Sequence, residues 1–199
     1  EHMGGICLNW GCIPTKALDH ASQLYAYKDE LPQMGFEVGP MKVDATKLND
    51  WKQGVVERLN QGVQGLLKKY GIEVVQGVAK FTSDNSVRIE GKSDINTINF
   101  KHAIIATGSH PTEIPGFSWN DVGSSTEALD IKRIPESIVV VGGGYIGCEM
   151  STVYSRLGAK VDIVELTDNM IPSVEHDLAA VVAKRLEQRG VRIHLHTKA

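Results

Sequence analysis

Several things are scarce in this sequence, and each scarcity removes a class of protein. No stretch approaches 18 unbroken apolar residues, so nothing in it is built to span a bilayer. Basic residues are not in excess: 21 Lys and Arg against 24 Asp and Glu leave a net charge of −3. That balance argues against nucleic acid or an anionic membrane as the main partner. A charged-then-apolar leader is lacking, which points away from secretion and towards the cytoplasm. Three cysteines cannot make a disulfide scaffold. Aromatics are only 6%, and there is neither an internal repeat nor a low-complexity tract. What remains is a globular chain of 199 residues, 42% apolar and 23% charged, with room for one domain or two small ones. Its 20 glycines among 7 prolines fit the turns of an α/β protein.

Periodicity divides the chain in two. Cys12–Lys28 reads as a helix, with Pro14 suited to its first turn and Leu18, Ala21 and Leu24 at helical spacing. A turn-rich loop covers Asp29–Lys42, and a longer helix follows over Ala45–Tyr70, ended by Gly71. Ile72–Val78 reads as a strand. Val87–Ile89 and Thr97–Phe100 add two short runs around Ser83-Asp84-Asn85-Ser86 and Gly91-Lys92-Ser93-Asp94 turns, so that a small antiparallel meander is expected. Ala103–Ala106 is a short apolar strand, after which His110-Pro111 and Pro115-Gly116 mark a domain boundary. Beyond it, strand Ser137–Val141, helix Tyr145–Leu157, strand Lys160–Val164, helix Glu175–Arg189 and strand Val191–Leu195 spell βαβαβ. That is one mononucleotide-binding half of a doubly wound parallel sheet.

Gly142-Gly143-Gly144-Tyr145-Ile146-Gly147 fits G-x-G-x-x-G, a weak pattern alone but a strong one in this setting. It follows an apolar strand and opens a helix, and Glu165 stands about 20 residues further on, at the end of the second strand. Gly142 permits a tight turn, Gly144 lets backbone approach a pyrophosphate, and Gly147 allows close helix–strand packing. The helix N-terminus offers free N–H groups to the phosphates. A carboxylate at position 165 can accept both ribose hydroxyls and repels a 2′-phosphate, which favours NAD over NADP. The plainer alternative is a glycine turn that only packs a helix onto a sheet.

Cys7 and Cys12 are close enough to ask for a metal or redox explanation. A metal site needs further ligands, and His2 and His20 do not complete a usual zinc spacing. A structural disulfide is disfavoured in a chain without a secretion signal. A redox-active pair fits best, weighed against inert buried thiols. Cys12 starts a helix whose dipole favours the thiolate, and Lys16 follows one turn later. Such settings bring a thiol from about 8.5 towards roughly 3.5–7.5.

The run Gly4-Gly5-Ile6-Cys7-Leu8-Asn9-Trp10-Gly11-Cys12-Ile13-Pro14-Thr15-Lys16-Ala17-Leu18 resembles the active-site signature of the flavin-dependent pyridine nucleotide–disulfide oxidoreductases. Its wording is most similar to the dihydrolipoyl dehydrogenase branch of that family. Gly77-Val78-Ala79-Lys80-Phe81, Ala106-Thr107-Gly108-Ser109 and Gly142-Gly143-Gly144-Tyr145-Ile146-Gly147-Cys148-Glu149 follow in family order. The resemblance implies two Rossmann-like dinucleotide-binding domains, both incomplete, divided as residues 1–117 for FAD and 118–199 for NAD. It implies Cys7 as the interchange thiol, Cys12 as the thiolate facing the flavin, and Lys16 near the flavin and paired with Glu149. Ala79, Thr107, Gly108 and Ser109 would line the FAD site. Gly142, Gly143, Gly144, Ile146 and Gly147 would cradle the NAD pyrophosphate, Tyr145 would cover the nicotinamide pocket, and Glu165 would hold the ribose.

The same resemblance implies oxidation of the lipoyl domain of 2-oxo acid dehydrogenase complexes, a homodimer, and no metal. The alternatives are a related NAD(P)H-dependent disulfide or mercuric reductase, or a catalytically inert dinucleotide-binding fragment. The family's first flavin-binding glycine motif and its C-terminal interface domain, which carries a His–Glu general base, are not in this sequence, so an internal fragment, inactive alone, is expected. Four features stand apart. Asp19 occupies a position where the family usually has an apolar residue. Cys148 reads as a small core residue. His194 and His196 alternate on one face of the last strand, as surface or satisfied core residues, and Glu175-His176-Asp177 starts a helix.

Overall fold

A backbone turns into a helix or a strand here wherever its unpaired polar groups find partners, and a computed structural model describing residues 2–91 and 94–199 shows where that happens. Helix α1 is short, Gly5–Trp10, and α2 runs over Cys12–Glu30. Gly11 separates them: a Cβ there would lie 3.1 Å from the Ile6 carbonyl oxygen, so only glycine lets the two helices meet so closely. A 3₁₀ turn at Leu31–Met34 closes α2, within the segment expected to be loop. Helix α3 spans Ala45–Lys69 and is capped by Asp44, whose carboxylate accepts from the Lys47 N–H at 3.1 Å.

Strands β1 (Val78–Ser83), β2 (Ser86–Glu90) and β3 (Thr97–Asn99) form the antiparallel meander, in the order β1-β2-β3. Its Ser83–Ser86 turn is as expected; the 91–94 turn lies partly outside the described residues. Two expected strands do not form. Residues 72–76 have no regular structure, and the first strand begins only at Val78. Residues 103–106 likewise form no strand, and Ile104 is 94% exposed. Their composition favours extended backbone, but neither segment has a neighbouring strand among the described residues, and a lone strand leaves its ladder groups unpaired.

The last third is the parallel unit. Helix α4, Ser125–Leu129, starts at a capping box between Ser124 and Glu127. Strands β4 (Ser137–Val141), β5 (Lys160–Val164) and β6 (Arg192–His194) make a parallel sheet in that order, crossed by α5 (Tyr145–Arg156) and α6 (His176–Gln188). Val139 pairs with Asp162 and Val164 with His194. The expected βαβαβ unit is thus present. His196 lies beyond β6 at φ 50°, so the two histidines do not share a strand face. Asp177 stands in the first turn of α6.

Among the described residues, the main hydrophobic core lies in the parallel unit. It centres on Val153, Ile163 and Met170 and reaches α2 through Leu18, all of them essentially inaccessible. Polar clasps close the seam between the two parts. The buried Lys52 amine donates to the Leu129 carbonyl at 2.8 Å and Asn49 donates to Asp130 at 2.9 Å, while within the second part Tyr154 Oη donates to the Ala128 carbonyl at 2.8 Å. Arg156 donates to Asp19 at 2.5 Å, which gives the unexpected acid of α2 a partner on α5. Among the described residues, no helix is long and apolar enough to cross a membrane.

Candidate active site

Cys7 on α1 and Cys12 at the first position of α2 are joined by a disulfide, with their Cα atoms 4.6 Å apart. Both residues are exposed, so a thiol arriving from solvent can reach the bond. The first turn of α2 is secured by the Gly11 carbonyl, which accepts from both the N–H of Thr15 (3.0 Å) and its hydroxyl (2.7 Å). Cys12 Sγ therefore sits at the positive end of a 19-residue helix, which favours it as the leaving thiolate. Asn9, between the cysteines, is tied down as well. Its amide donates to the Met3 carbonyl at 3.0 Å and the Gly5 carbonyl at 2.9 Å, and its carbonyl oxygen accepts from Asn60 of α3 at 3.1 Å. Sequence patterns give no sign of this anchor, because Asn60 belongs to the polar face of an ordinary amphipathic helix.

One turn beyond Cys12, the Lys16 ammonium pairs with the Glu149 carboxylate on α5. The pair is partly exposed, so its weight lies in placement more than in stability. It links the disulfide helix to the helix that opens at the glycine loop.

That loop has the geometry of a phosphate cradle. Gly142 turns at φ 106°, in the left-handed region where a side chain is disfavoured. A Cβ on Gly147 would lie 2.1 Å from the Gly142 carbonyl oxygen, so the helix could not pack so close with any other residue. Gly144 has open space where a Cβ would point, which leaves backbone accessible at the N-terminus of α5. A groove of about 760 Å³ lies over this region, walled by Val141, Gly142, Gly144, Tyr145 and Ile146 on one side and by Ile114, Phe117 and Trp119 on the other. Tyr145 is 65% exposed at its lip. The Gly142 and Gly143 N–H groups are taken by Val164 and Glu165, so a dinucleotide's pyrophosphate fits best against the open backbone at Gly144 and the start of α5.

Glu165 is buried at the end of β5 and engaged at both carboxylate oxygens. One carboxylate oxygen accepts from the Gly143 N–H at 2.6 Å; the other accepts from the Thr167 N–H at 2.8 Å and the Thr167 hydroxyl at 2.7 Å. Burial opposes its charge, but the Thr167 and Gly143 donors outweigh burial and hold the carboxyl below its ordinary range. Thr167 was not expected; an acid followed two residues later by a hydroxyl at a strand end is the one signal that could have disclosed it.

The flavin-facing positions are less assembled. Ala79 lies on the exposed β1, while Thr107, Gly108 and Ser109 lie in an exposed stretch without regular structure. Cys12 and Lys16 suit a redox ring beside them; Ala79, Thr107, Gly108 and Ser109, the expected FAD-lining residues, are not gathered into a pocket among the described residues. Cys148 is a buried core thiol, pushed up to about 11 by burial and the nearby Glu149 charge, and takes no part in exchange. His194 pairs with Asp162 at 2.8 Å on the outer face. Among the described residues, no cluster could hold a metal ion.

A family model described as pyridine nucleotide-disulphide oxidoreductase matches residues 2–199. The dihydrolipoyl dehydrogenase of Haloferax volcanii is 48% identical over 198 residues, which cover 96% of this chain and 41% of that protein. The dihydrolipoyl dehydrogenase of Bacillus subtilis is 43% identical over 198 residues, with 99% and 42% covered. Among solved structures, the HOCl-induced flavoprotein disulfide reductase RclA from Escherichia coli matches with a TM-score of 0.80 at 29% identity, over 100% of this chain and 43% of that one. The chain thus spans about two fifths of the length of the curated relatives it matches.

Proposed function

The chain belongs to the pyridine nucleotide–disulphide oxidoreductase family, and from that premise we propose that the protein oxidises dihydrolipoyl groups of 2-oxo acid dehydrogenase complexes with NAD⁺, through Cys7–Cys12 and FAD. The observation that carries this reading is the exposed Cys7–Cys12 bond at the head of α2, linked by Lys16–Glu149 to the helix of the glycine loop.

Exchange begins when one dihydrolipoyl thiolate attacks Cys7 Sγ. The Cys7–Cys12 bond breaks, and Cys12 leaves as a thiolate stabilised by the α2 dipole. The second lipoyl thiolate then attacks the lipoyl sulfur of the mixed disulfide, closing the lipoyl ring and releasing Cys7. Lipoyl has lost two electrons and two protons, and the cysteine pair has gained the electrons. Bound FAD supplies the two-electron relay from this dithiol to NAD⁺. Cys12 and Lys16 would serve the flavin, while the glycine loop would hold the nucleotide's pyrophosphate, Tyr145 would stand over the groove, and Glu165 would receive the adenosine ribose and reject a 2′-phosphate. Residues 1–117 act as part of the FAD-binding domain and residues 118–199 as part of the NAD-binding domain. The working unit is a homodimer, as the family resemblance implies, and it acts in the cytoplasm.

A second reading keeps this chemistry and changes the disulfide substrate; the likeness to a flavoprotein disulfide reductase favours it. The test is a titration of the full-length protein with dihydrolipoamide and with NADH, following the long-wavelength thiolate–flavin absorbance. The band should appear with both reductants and vanish in Cys12→Ala. Protein without flavin, or a band that survives Cys12→Ala, overturns the proposal. Reduction by NADH but not by dihydrolipoamide selects the second reading. A preference for NADPH removes the role given to Glu165.

A further inference from the structure

We propose that the Thr167 hydroxyl is a displaceable donor that competes with the nucleotide's ribose for Glu165, and thereby loosens nucleotide binding. The proposal rests on the reading of Glu165 as the ribose acceptor.

A carboxylate offers about four acceptor positions. At least three are filled from within: Gly143 N–H on Oε2, and Thr167 N–H with Thr167 Oγ1 on Oε1. A ribose brings two hydroxyl donors to an acid with at most one free position, so one resident donor must give way. The two N–H groups are fixed by the backbone. The Thr167 hydroxyl is not, and it has a second acceptor in reach, the Asn169 carbonyl at 2.9 Å. A hydroxyl has one proton to donate, so it serves Glu165 or Asn169 at any moment. When the ribose arrives it turns to Asn169, exchanging a bond to a charged oxygen for a weaker one to a neutral oxygen.

That exchange is a penalty on binding. The two N–H donors keep the carboxylate oriented without the hydroxyl, so removing it should free an acceptor position and leave the geometry intact. Thr167 is itself exposed, and trimming it disturbs no packing. Its burial-free setting also separates this effect from any change in the fold.

The test is a fluorescence titration of the full-length protein with NADH, for wild type, Thr167→Val, Thr167→Ala, Thr167→Ser and Glu165→Gln. Losing a bond to charge in favour of one to a neutral carbonyl predicts about three- to ten-fold tighter binding in the Val and Ala variants. Thr167→Ser, which keeps the hydroxyl, should match wild type, and Glu165→Gln should bind more weakly. If the Val and Ala variants bind no tighter while Glu165→Gln weakens, the competition is refuted and the ribose role of Glu165 stands. If Glu165→Gln binds NADH as wild type does, that role is refuted and the competition with it.

Discussion

Residues 137–195 and residues 72–109 contain apolar runs of similar character and similar length, yet the first region is a sheet with a core and the second is largely surface. Ile163, in the middle strand of the parallel sheet, is 0% exposed, whereas Ile104 and Ile105 are 94% and 73% exposed. Both segments favour extended backbone. The difference lies in company: β5 has β4 and β6 as hydrogen-bonded neighbours and α5 packed against it, while 103–106 has no strand beside it among the described residues. Strand propensity is realised only where a neighbouring strand completes the ladder, as in the exposed meander, and it builds a core only where a helix also covers the sheet. The candidate site residues divide the same way: the glycine loop and Glu165 are fixed by hydrogen bonds, and Thr107–Ser109 lies exposed without regular structure.

The largest expected effect tests that division directly. In the 199-residue chain, Ile163→Ala should cost about 2–5 kcal/mol of unfolding free energy in urea, because it leaves a cavity in a closed core. Ile105→Ala should stay within about 0.5 kcal/mol. In a longer chain that supplies strand neighbours for 103–106, Ile105→Ala should rise into the range of Ile163→Ala. An equal cost at the two sites in the 199-residue chain would break the contrast.

The same contrast explains what could be read from the sequence. The βαβαβ half was legible because its signals are local: apolar strands of usual length, a glycine loop in register, and an acid at the right distance. Cys7, Cys12, Lys16 and Glu149 were legible through the family signature, and the structure brings Lys16 and Glu149 together. The strands at 72–78 and 103–106 were over-read, since composition reports a preference for extended backbone and not the presence of a neighbour. Helix α1 was missed because its six residues carry no full helical period and are held by Gly11, the disulfide and the Asn9 amide bonds. Asp19 read as an anomaly because its partner, Arg156, lies 137 residues away in the chain. Thr167 had no periodicity to announce it.

A smaller effect separates two glycines with opposite surroundings. Gly147→Ala puts a methyl group 2.1 Å from the Gly142 carbonyl oxygen, so the loop must open. About 1–3 kcal/mol of stability should be lost, together with nucleotide binding. Gly108 turns at φ 82° with open space around it, so Gly108→Ala meets only the conformational cost of that backbone, about 1 kcal/mol. Thermal unfolding with and without NADH distinguishes them: the nucleotide should still raise the Tm of Gly108→Ala and fail to raise that of Gly147→Ala.

The smallest effect concerns two carboxylates, one from each region, that are both held below their ordinary value of 4.5 for different reasons. Glu90, on the exposed meander, is lowered by its bonds to Lys80 at 2.7 Å and Arg88 at 2.8 Å. For Glu165 burial works the other way, and the Thr167 and Gly143 donors prevail. Salt should tell them apart. At 1 M ionic strength the screening length falls to about 3 Å, so an exposed ion pair weakens while short hydrogen bonds in a buried site persist. In a carboxyl NMR titration, Glu90 should therefore move back towards 4.5 with added salt, and Glu165 should not. The stability consequence follows in sign. Because Glu165 has a lower pKa folded than unfolded, the unfolded chain binds more protons just below pH 4.5. Its contribution is complete above that pH and is lost as the pH falls through the folded value. Glu165→Gln should thus be less stable than wild type near neutrality, with the gap closing in acid even at high salt. A gap that closes on adding salt at neutral pH would mean that Glu165 is held by charge, as Glu90 is, and that the Thr167 and Gly143 donors do not set its protonation.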